Sequence, residues 1–133
     1  MPIRYSHYLA KQGLISPPYY FNLIFGNIAC AQADLLHAGV MLRDLPAEAL
    51  WSFGGVGNFQ LTMNQIAIAI GGGVRVGLED DIYFDAARTR LARNSDLLGR
   101  IHELAAANGR SVMSAAELRQ ALHLREGHGA YGR

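Results

Sequence analysis

The sequence of 133 residues is poor in cysteine, in excess charge of either sign and in long hydrophobic runs. The single Cys30 cannot form an internal disulfide, and no CxxC pair is present for zinc or redox chemistry. The net charge is +1, from 12 basic and 11 acidic residues, so no field of one sign favours nucleic acid or an anionic membrane as a partner. No stretch approaches the ~20 apolar residues of a membrane span. The N-terminal segment Met1–His7 lacks the apolar centre of a secretory signal, so a cytoplasmic location is expected.

What the chain does contain is the composition of one folded domain. Half of the residues are hydrophobic and 17% are charged, which excludes an intrinsically disordered chain. The length suits a single domain over 1–133. Only the polar, glycine-containing end at 126–133 is expected to fray.

Three short runs of aromatic and β-branched residues predict buried strands, at 20–25, 50–53 and 74–78. Helical patterns separate or follow them. We expect helices after residue 34, after a cap at Asn58, after a cap at Ser95, and after a capping box formed by Ser114 and Glu117. Because helix-length connections between buried strands require parallel pairing, the predicted class is α/β with a parallel sheet and a helical C-terminus.

The end of the third predicted strand carries the densest set of reactive side chains. Alternation along a strand places Arg75, Gly77 and Glu79 on one side, with Asp80 and Asp81 at the mouth. An arginine beside carboxylates orients them and lowers their pKa, which suits a metal ligand or a general base. The same spacing is equally typical of a structural ion pair at a strand end.

A second candidate site is the loop Gly55-Val56-Gly57-Asn58, between a predicted strand and a predicted helix. Glycines here allow backbone N–H groups to approach a phosphate at the start of the helix. The loop resembles part of a dinucleotide-binding fingerprint, but Gln60 replaces its third glycine. A tight turn without a ligand is the alternative.

The segment from Gly71 through Val74-Arg75-Val76-Gly77-Leu78-Glu79-Asp80 to Tyr83 resembles the signature of the β-keto acid cleavage enzyme family, of the 3-keto-5-aminohexanoate cleavage type. The similarity extends over nearly the whole chain. The segments that begin at Pro18, Trp51 and Asn94 resemble the parts of that family around barrel strands six, seven and eight. The resemblance therefore implies the C-terminal part of a (β/α)₈ TIM barrel.

The resemblance also implies an activity and roles for three residues. Family members use a divalent metal, usually Zn²⁺, to convert a β-keto acid and acetyl-CoA into acetoacetate and a new acyl-CoA. By residue-for-residue correspondence, Glu79 is expected to be a metal ligand and Asp80 the acid that transfers the substrate proton. Arg75 is expected to orient Asp80 and to bind the anionic end of the substrate. Two neighbours depart from the family pattern: Gly73 replaces a histidine and Asp81 an asparagine.

A larger departure concerns the metal. The family's other ligands form an HxH pair on an early strand, and this sequence contains no such pair. The isolated chain is therefore expected to bind Zn²⁺ weakly and to be inactive alone. A half-barrel with open sheet edges should associate with itself or with a chain that carries the N-terminal half. The alternatives are a non-catalytic interaction module of the same fold and, without the resemblance, a Rossmann-like nucleotide binder.

Overall fold

The structure, a computed structural model, describes residues 3–125, and the tail expected to fray at 126–133 lies outside them. Five helices and three strands occur in this part of the chain, together with one turn of 3₁₀ helix at Gly57–Phe59. In chain order they are α1 (Ile3–Lys11), β1 (Tyr20–Phe25), α2 (Leu35–Arg43), β2 (Leu50–Gly55), α3 (Gln60–Ala69), β3 (Gly73–Val74), α4 (Asn94–Ala107) and α5 (Ala115–Ala121). None of the helices within 3–125 is long and apolar enough to cross a membrane.

The three strands form one parallel sheet in the order β1-β2-β3. Tyr20 pairs with Leu50 at the start of β1, and Ser52 pairs with Gly73 at the start of β3. Because α2 connects β1 to β2 and α3 connects β2 to β3, each connection is a helical crossover, as parallel pairing requires. The predicted α/β class with parallel strands is confirmed, and its assignment to particular strands of a barrel stays a prediction.

Alternate residues of the strands build the core between the sheet and its helices. Phe25 and Phe53 are fully buried and meet edge to face, with their ring centroids 4.9 Å apart. Met63 and Ala67 of α3 and Ala38 of α2 complete this cluster. The period of two along β1 and β2 therefore places Phe25 and Phe53 against the helices.

The other face of the sheet is polar. The Tyr20 hydroxyl donates to Ser52 Oγ and the Ser52 hydroxyl donates to Asn22 Oδ1, each over 2.9 Å. A side chain at Gly54 would contact Ile24 and Arg75, so these residues share the polar face. Arg75 therefore extends from the face that α2 and α3 do not cover.

The third strand is shorter than the sequence predicts. Only Gly73–Val74 forms β3, whereas the prediction extended to Leu78. The Arg75 N–H still donates to the Phe53 carbonyl over 2.9 Å, but the chain then turns, and the N–H groups of Asp80 and Asp81 donate to the Gly77 carbonyl. The motif after Val74 is thus a loop held by a turn, because the N–H groups of Asp80 and Asp81 bond within the segment and not to β2.

Two predicted helix starts are also corrected. Asn58 does not cap α3: it lies inside the 3₁₀ turn, and the helix begins at Gln60. Ser95 does not cap α4, which begins one residue earlier, where the Asp96 carboxylate accepts the Arg93 N–H. At α3 the Gln60 N–H donates to the Gly57 carbonyl, so the 3₁₀ turn leads directly into the helix.

The other two predicted helices, α2 and α5, are confirmed, but the residues that α2 buries differ from those expected. Ser114 and Glu117 form the predicted capping box at the start of α5. Asp34 caps α2 by accepting the His37 N–H over 2.8 Å. The apolar residues that predicted α2 are nevertheless exposed, and Ala38 is the buried one. The exposed set is Leu35, Leu36 and Val40.

The segment between α4 and α5 is anchored to the end of α3 by Arg110. Its guanidinium donates to the carbonyls of Ile68, Gly71 and Gly72 over 2.8 to 3.1 Å. A cation is favourable at the C-terminal end of a helix, where carbonyl groups lack helical partners. Arg110 therefore fixes the end of α4 beside the turn that leads into β3.

Candidate functional site

The side chains of Arg75, Glu79 and Asp80 meet where β3 gives way to the following loop. Arg75 Nη2 lies 3.1 Å from Glu79 Oε1, and Arg75 Nη1 lies 3.3 Å from Asp80 Oδ1. One guanidinium thus bridges two adjacent carboxylates, although the chain here is a turn and not the strand that the sequence predicts. The planar fork of arginine suits this arrangement because its N–H groups point in fixed directions.

The two carboxylates occupy different environments. The side chain of Glu79 is 59% exposed, whereas that of Asp80 is 6% exposed. Burial raises the pKa of Asp80, the Arg75 charge opposes this rise, and the Glu79 charge adds to it. The buried Asp80 Oδ2 has no hydrogen-bond partner within the described part of the chain. The site therefore holds one solvated carboxylate and one carboxylate whose second oxygen is free to accept or hold a proton.

Gly77 provides the space in which Glu79 lies. A Cβ atom at this position would overlap the Glu79 carboxylate. Any other residue would therefore displace the carboxylate from its place beside Arg75. The glycine gap predicted from the sequence is thus filled by the neighbouring acid.

Two side chains that the sequence analysis did not assign to the site hold its backbone. Gln60 Nε2 donates to the Gly77 carbonyl over 2.9 Å, and Asn64 Nδ2 donates to the carbonyls of Arg75 and Phe53 over 3.0 and 3.1 Å. The sequence contains a signal for this role, because both amides lie on the same helix face as the buried Met63 and Ala67.

The loop Gly55–Asn58 reaches the site through its backbone. The Gly57 N–H donates to the Asp80 carbonyl over 2.8 Å, and the Val56 N–H donates to the Phe25 carbonyl over 2.9 Å. These two N–H groups are thus engaged within the chain. Gly57 has φ +58°, a conformation that favours glycine, and the Asn58 side chain is exposed.

The loop after the site contributes a third acid. The Asp81 carboxylate accepts the Tyr83 N–H over 3.2 Å and lies 3.9 Å from the guanidinium of Arg88. Arg88 stacks on the Tyr83 ring, 4.7 Å from its centroid. Asp81 therefore points into the loop and makes no ion pair with Arg75 in the described structure.

A cavity of about 640 Å³ lies along β3 and between it and α4. Its wall is mainly apolar, with Trp51, Val74 and Ile101 among the residues that line it, and Arg75 and Arg110 supply charge. Glu79 and Asp80 do not line it. The cavity therefore reaches the site only through Arg75.

The donor set does not form a zinc site. Catalytic zinc takes three protein ligands, and residues 3–125 bring no three His, Cys, Asp or Glu side chains close enough together to hold a metal. Glu79, the expected ligand, is bound to Arg75 instead. We therefore derive no chemical step through a metal from these residues.

The chain is similar in sequence to a known enzyme family and to several of its characterised members. The sequence model of the beta-keto acid cleavage enzyme family matches residues 2–124. The 3-keto-5-aminohexanoate cleavage enzyme of Fusobacterium nucleatum subsp. nucleatum is 36% identical over 126 residues, which cover 93% of this chain and 44% of that enzyme. The enzyme of the same name from Acetoanaerobium sticklandii is 32% identical over 86% of this chain and 41% of its own length. A 3-dehydrocarnitine:acetyl-CoA trimethylamine transferase of Rhizobium meliloti is 29% identical over 90% of this chain and 39% of its own length.

The residues that match the family model include the parallel sheet and the segment that carries Arg75, Glu79 and Asp80. The chain belongs to the beta-keto acid cleavage enzyme family. It spans less than half the length of each of these three relatives.

Proposed function

We propose that this chain contributes to acetyl-CoA-dependent cleavage of a β-keto acid, with Arg75, Glu79 and Asp80 as its reactive centre. The observation that carries the proposal is the Arg75 guanidinium between one exposed and one buried carboxylate. The family membership supplies the reaction class, and the curated relatives include two 3-keto-5-aminohexanoate cleavage enzymes.

In this proposal, Asp80 is the general base. Its Oδ1 is held by Arg75 and its Oδ2 is unpartnered, so one oxygen is oriented while the other is available to a proton on the substrate. Arg75 also offers its positive charge to the substrate carboxylate, which suits bidentate recognition. Removal of a proton from the carbon between the ketone and the carboxylate then generates an enolate.

The reaction that follows balances without an oxidant or reductant. The enolate carbon attacks the acetyl carbonyl of acetyl-CoA, a carbon–carbon bond forms, and the CoA thiolate leaves. The thiolate then attacks the original ketone carbon, and cleavage of the adjacent carbon–carbon bond releases an acyl-CoA and the enolate of acetoacetate, which takes back the proton held by Asp80. Acetyl-CoA is therefore the proposed co-substrate, as the name of the Rhizobium meliloti relative states for that enzyme.

We propose that Glu79 supplies one ligand of a Zn²⁺ site whose other ligands come from outside residues 3–125. Its exposure leaves the carboxylate reachable by such a partner. We further propose that the loop containing Gly55, Gly57 and Asn58 borders the substrate region, because the Gly57 N–H ties it to Asp80.

We also propose that the chain associates, either with itself or with a chain that carries the remaining barrel strands. The exposed apolar residues of α2 and the exposed Tyr20 on the uncovered sheet face support association. Light scattering on the purified chain is expected to return a mass at least twice that of the 14.5 kDa monomer, or a monomer that enters a complex on co-expression. A stable monomer in both preparations would contradict this proposal.

The reaction itself is tested by co-expressing the chain with the portion of the Fusobacterium nucleatum enzyme that it does not match. We expect acetoacetate to form only when both acetyl-CoA and a β-keto acid are present. The Glu79→Gln variant is expected to lose bound zinc, and the Asp80→Asn variant to retain it. Absence of both zinc and product in the wild-type complex would favour the non-catalytic interaction module.

A further inference from the structure

The site lies on a segment that has left the sheet. After Val74, residues 75–80 have no strand ladder, yet Arg75 lies within 3.3 Å of two carboxylates. Buried backbone groups need partners, so some other part of the molecule must bond this segment and hold it in place. The partners are found on β2, on α3, in the 3₁₀ turn and at the start of α4, where Asn94 Oδ1 accepts the Leu78 N–H.

Two amide side chains of α3 supply the central bonds. Gln60 is 2% exposed and Asn64 is fully buried, and they lie four residues apart, on the same face of the helix. Gln60 donates to the carbonyl of Gly77 and Asn64 donates to that of Arg75. The two acceptor residues lie two positions apart along the segment. The two amides thus take the place that a neighbouring strand would occupy.

The two bonds frame the residues that carry the chemistry. Asn64 also binds the Phe53 carbonyl, to which the Arg75 N–H donates, and this ties Arg75 to β2. The Gly77 carbonyl accepts a hydrogen bond from Gln60 Nε2. It also accepts from the N–H groups of Asp80 and Asp81, which close the turn. A shift of either amide would therefore move Arg75 or Asp80 relative to the other.

We propose that Gln60 and Asn64 are positioning residues that set the distance between the Arg75 guanidinium and the Asp80 carboxylate. The effect of these residues on catalysis rests on the proposed function. Their effect on the position of Arg75 and Asp80 does not depend on activity. Neither residue is required to touch the substrate.

Simple filling of the core does not explain these amides. Gln60 Oε1 and Asn64 Oδ1 are buried without a hydrogen-bond partner among the described residues. An unpaired buried oxygen is destabilising, and Met or Leu of similar size would pack against Met63 and Ala67 without that cost. The stabilising feature is therefore the pair of N–H donors, which only an amide provides here.

Hydrogen exchange on the full chain tests the inference with Gln60→Met and Asn64→Leu. We expect the amides of Gly57, Leu78 and Asp80 to exchange about tenfold faster in either variant, as the loss of one buried hydrogen bond predicts. The amides of β1 and β2 should keep their wild-type rates.

Two control variants on the same helix separate positioning from general loss of stability. Met63→Ala removes a fully buried core side chain and should speed exchange in β1, β2 and the site segment together. Gln65→Met changes the same residue type at an exposed position and should leave all rates unchanged. If Gln60→Met and Asn64→Leu both show the uniform pattern of Met63→Ala, or no change, the positioning inference is wrong.

Activity provides a second readout in the co-expressed complex. Gln60→Met is expected to lower kcat about tenfold with KM changed less than twofold, because substrate contacts remain while Arg75 and Asp80 are displaced. An unchanged kcat would overturn the inference. If the wild-type complex forms no acetoacetate, the proposed function fails, and the exchange pattern alone still decides whether the two amides position the segment.

Discussion

Asp80→Asn is expected to lower kcat of the co-expressed complex by about 10³-fold, because the amide cannot take a proton from the substrate. Asparagine keeps the size of the side chain and retains an oxygen for Arg75. The fold should therefore survive, and circular dichroism of the variant should match that of the wild-type chain. The measurement is the initial rate of acetoacetate formation at saturating acetyl-CoA.

Asp81→Asn is the matched control for this prediction. It makes the same chemical change one residue away, in a carboxylate that bonds the Tyr83 N–H and not Arg75. The asparagine oxygen can accept the same N–H, so we expect kcat within about threefold of wild type. Equal losses in the two variants would contradict the assignment of the base to Asp80.

Gly55→Ala is expected to destabilise the chain by about 3 kcal/mol or more, the largest effect on stability that we predict. A Cβ atom at Gly55 would overlap the Phe59 carbonyl oxygen and would lie 2.8 Å from the Gln60 nitrogen. Both atoms belong to the backbone, so the end of β2 and the start of α3 would have to separate. Urea unfolding followed by circular dichroism measures the loss.

Gly99→Ala provides the control of opposite sign. Gly99 lies within α4, and a Cβ atom there meets nothing within 4 Å. Alanine in the middle of a helix is favoured over glycine by roughly 0.5–1 kcal/mol, so this variant should be more stable than wild type. A Gly55→Ala chain as stable as the wild type would show that the close approach of β2 and α3 is not required.

Gly55 shows how far the sequence leads and where it stops. A glycine pair between a strand and a helix predicted a tight loop, and the loop is present. The same pair also fitted a phosphate-binding loop, because sequence alone does not say which atoms approach the missing side chain. In the structure, glycine is required at position 55 because the end of β2 lies in close contact with the start of α3.

The strands β1 and β2 were predictable because both lie in a ladder and bury alternate aromatic residues. The length of the third strand was not, since the alternation of Val74, Val76 and Leu78 suggests a longer strand, while side chains of α3 bond the carbonyls of Arg75 and Gly77. The bonds from Gln60 and Asn64 connect residues 11 to 17 positions apart, and a local pattern carries no information about them.

The candidate site was predictable in its membership but not in its geometry. Arg75 and Glu79 were expected on one side of a strand with Asp80 at its mouth, and the three side chains meet because a turn folds the acids back onto the arginine. Their predicted roles as base, metal ligand and orienting cation stay predictions. The exposed face of α2 was missed because Leu36 and Val40 have the spacing of a buried stripe.

The most direct test of the central claim follows the carbon atoms of the proposed reaction. The co-expressed complex is given acetyl-CoA labelled with ¹³C in both acetyl carbons and an unlabelled β-keto acid, and the acetoacetate is analysed by NMR. Our account predicts label in the methyl and ketone carbons only, with the CH₂ and carboxylate carbons unlabelled, and product formed about 10³-fold more slowly by the Asp80→Asn variant. Label at the carboxylate end, or labelled acetoacetate formed equally well by the Asp80→Asn variant, would contradict it.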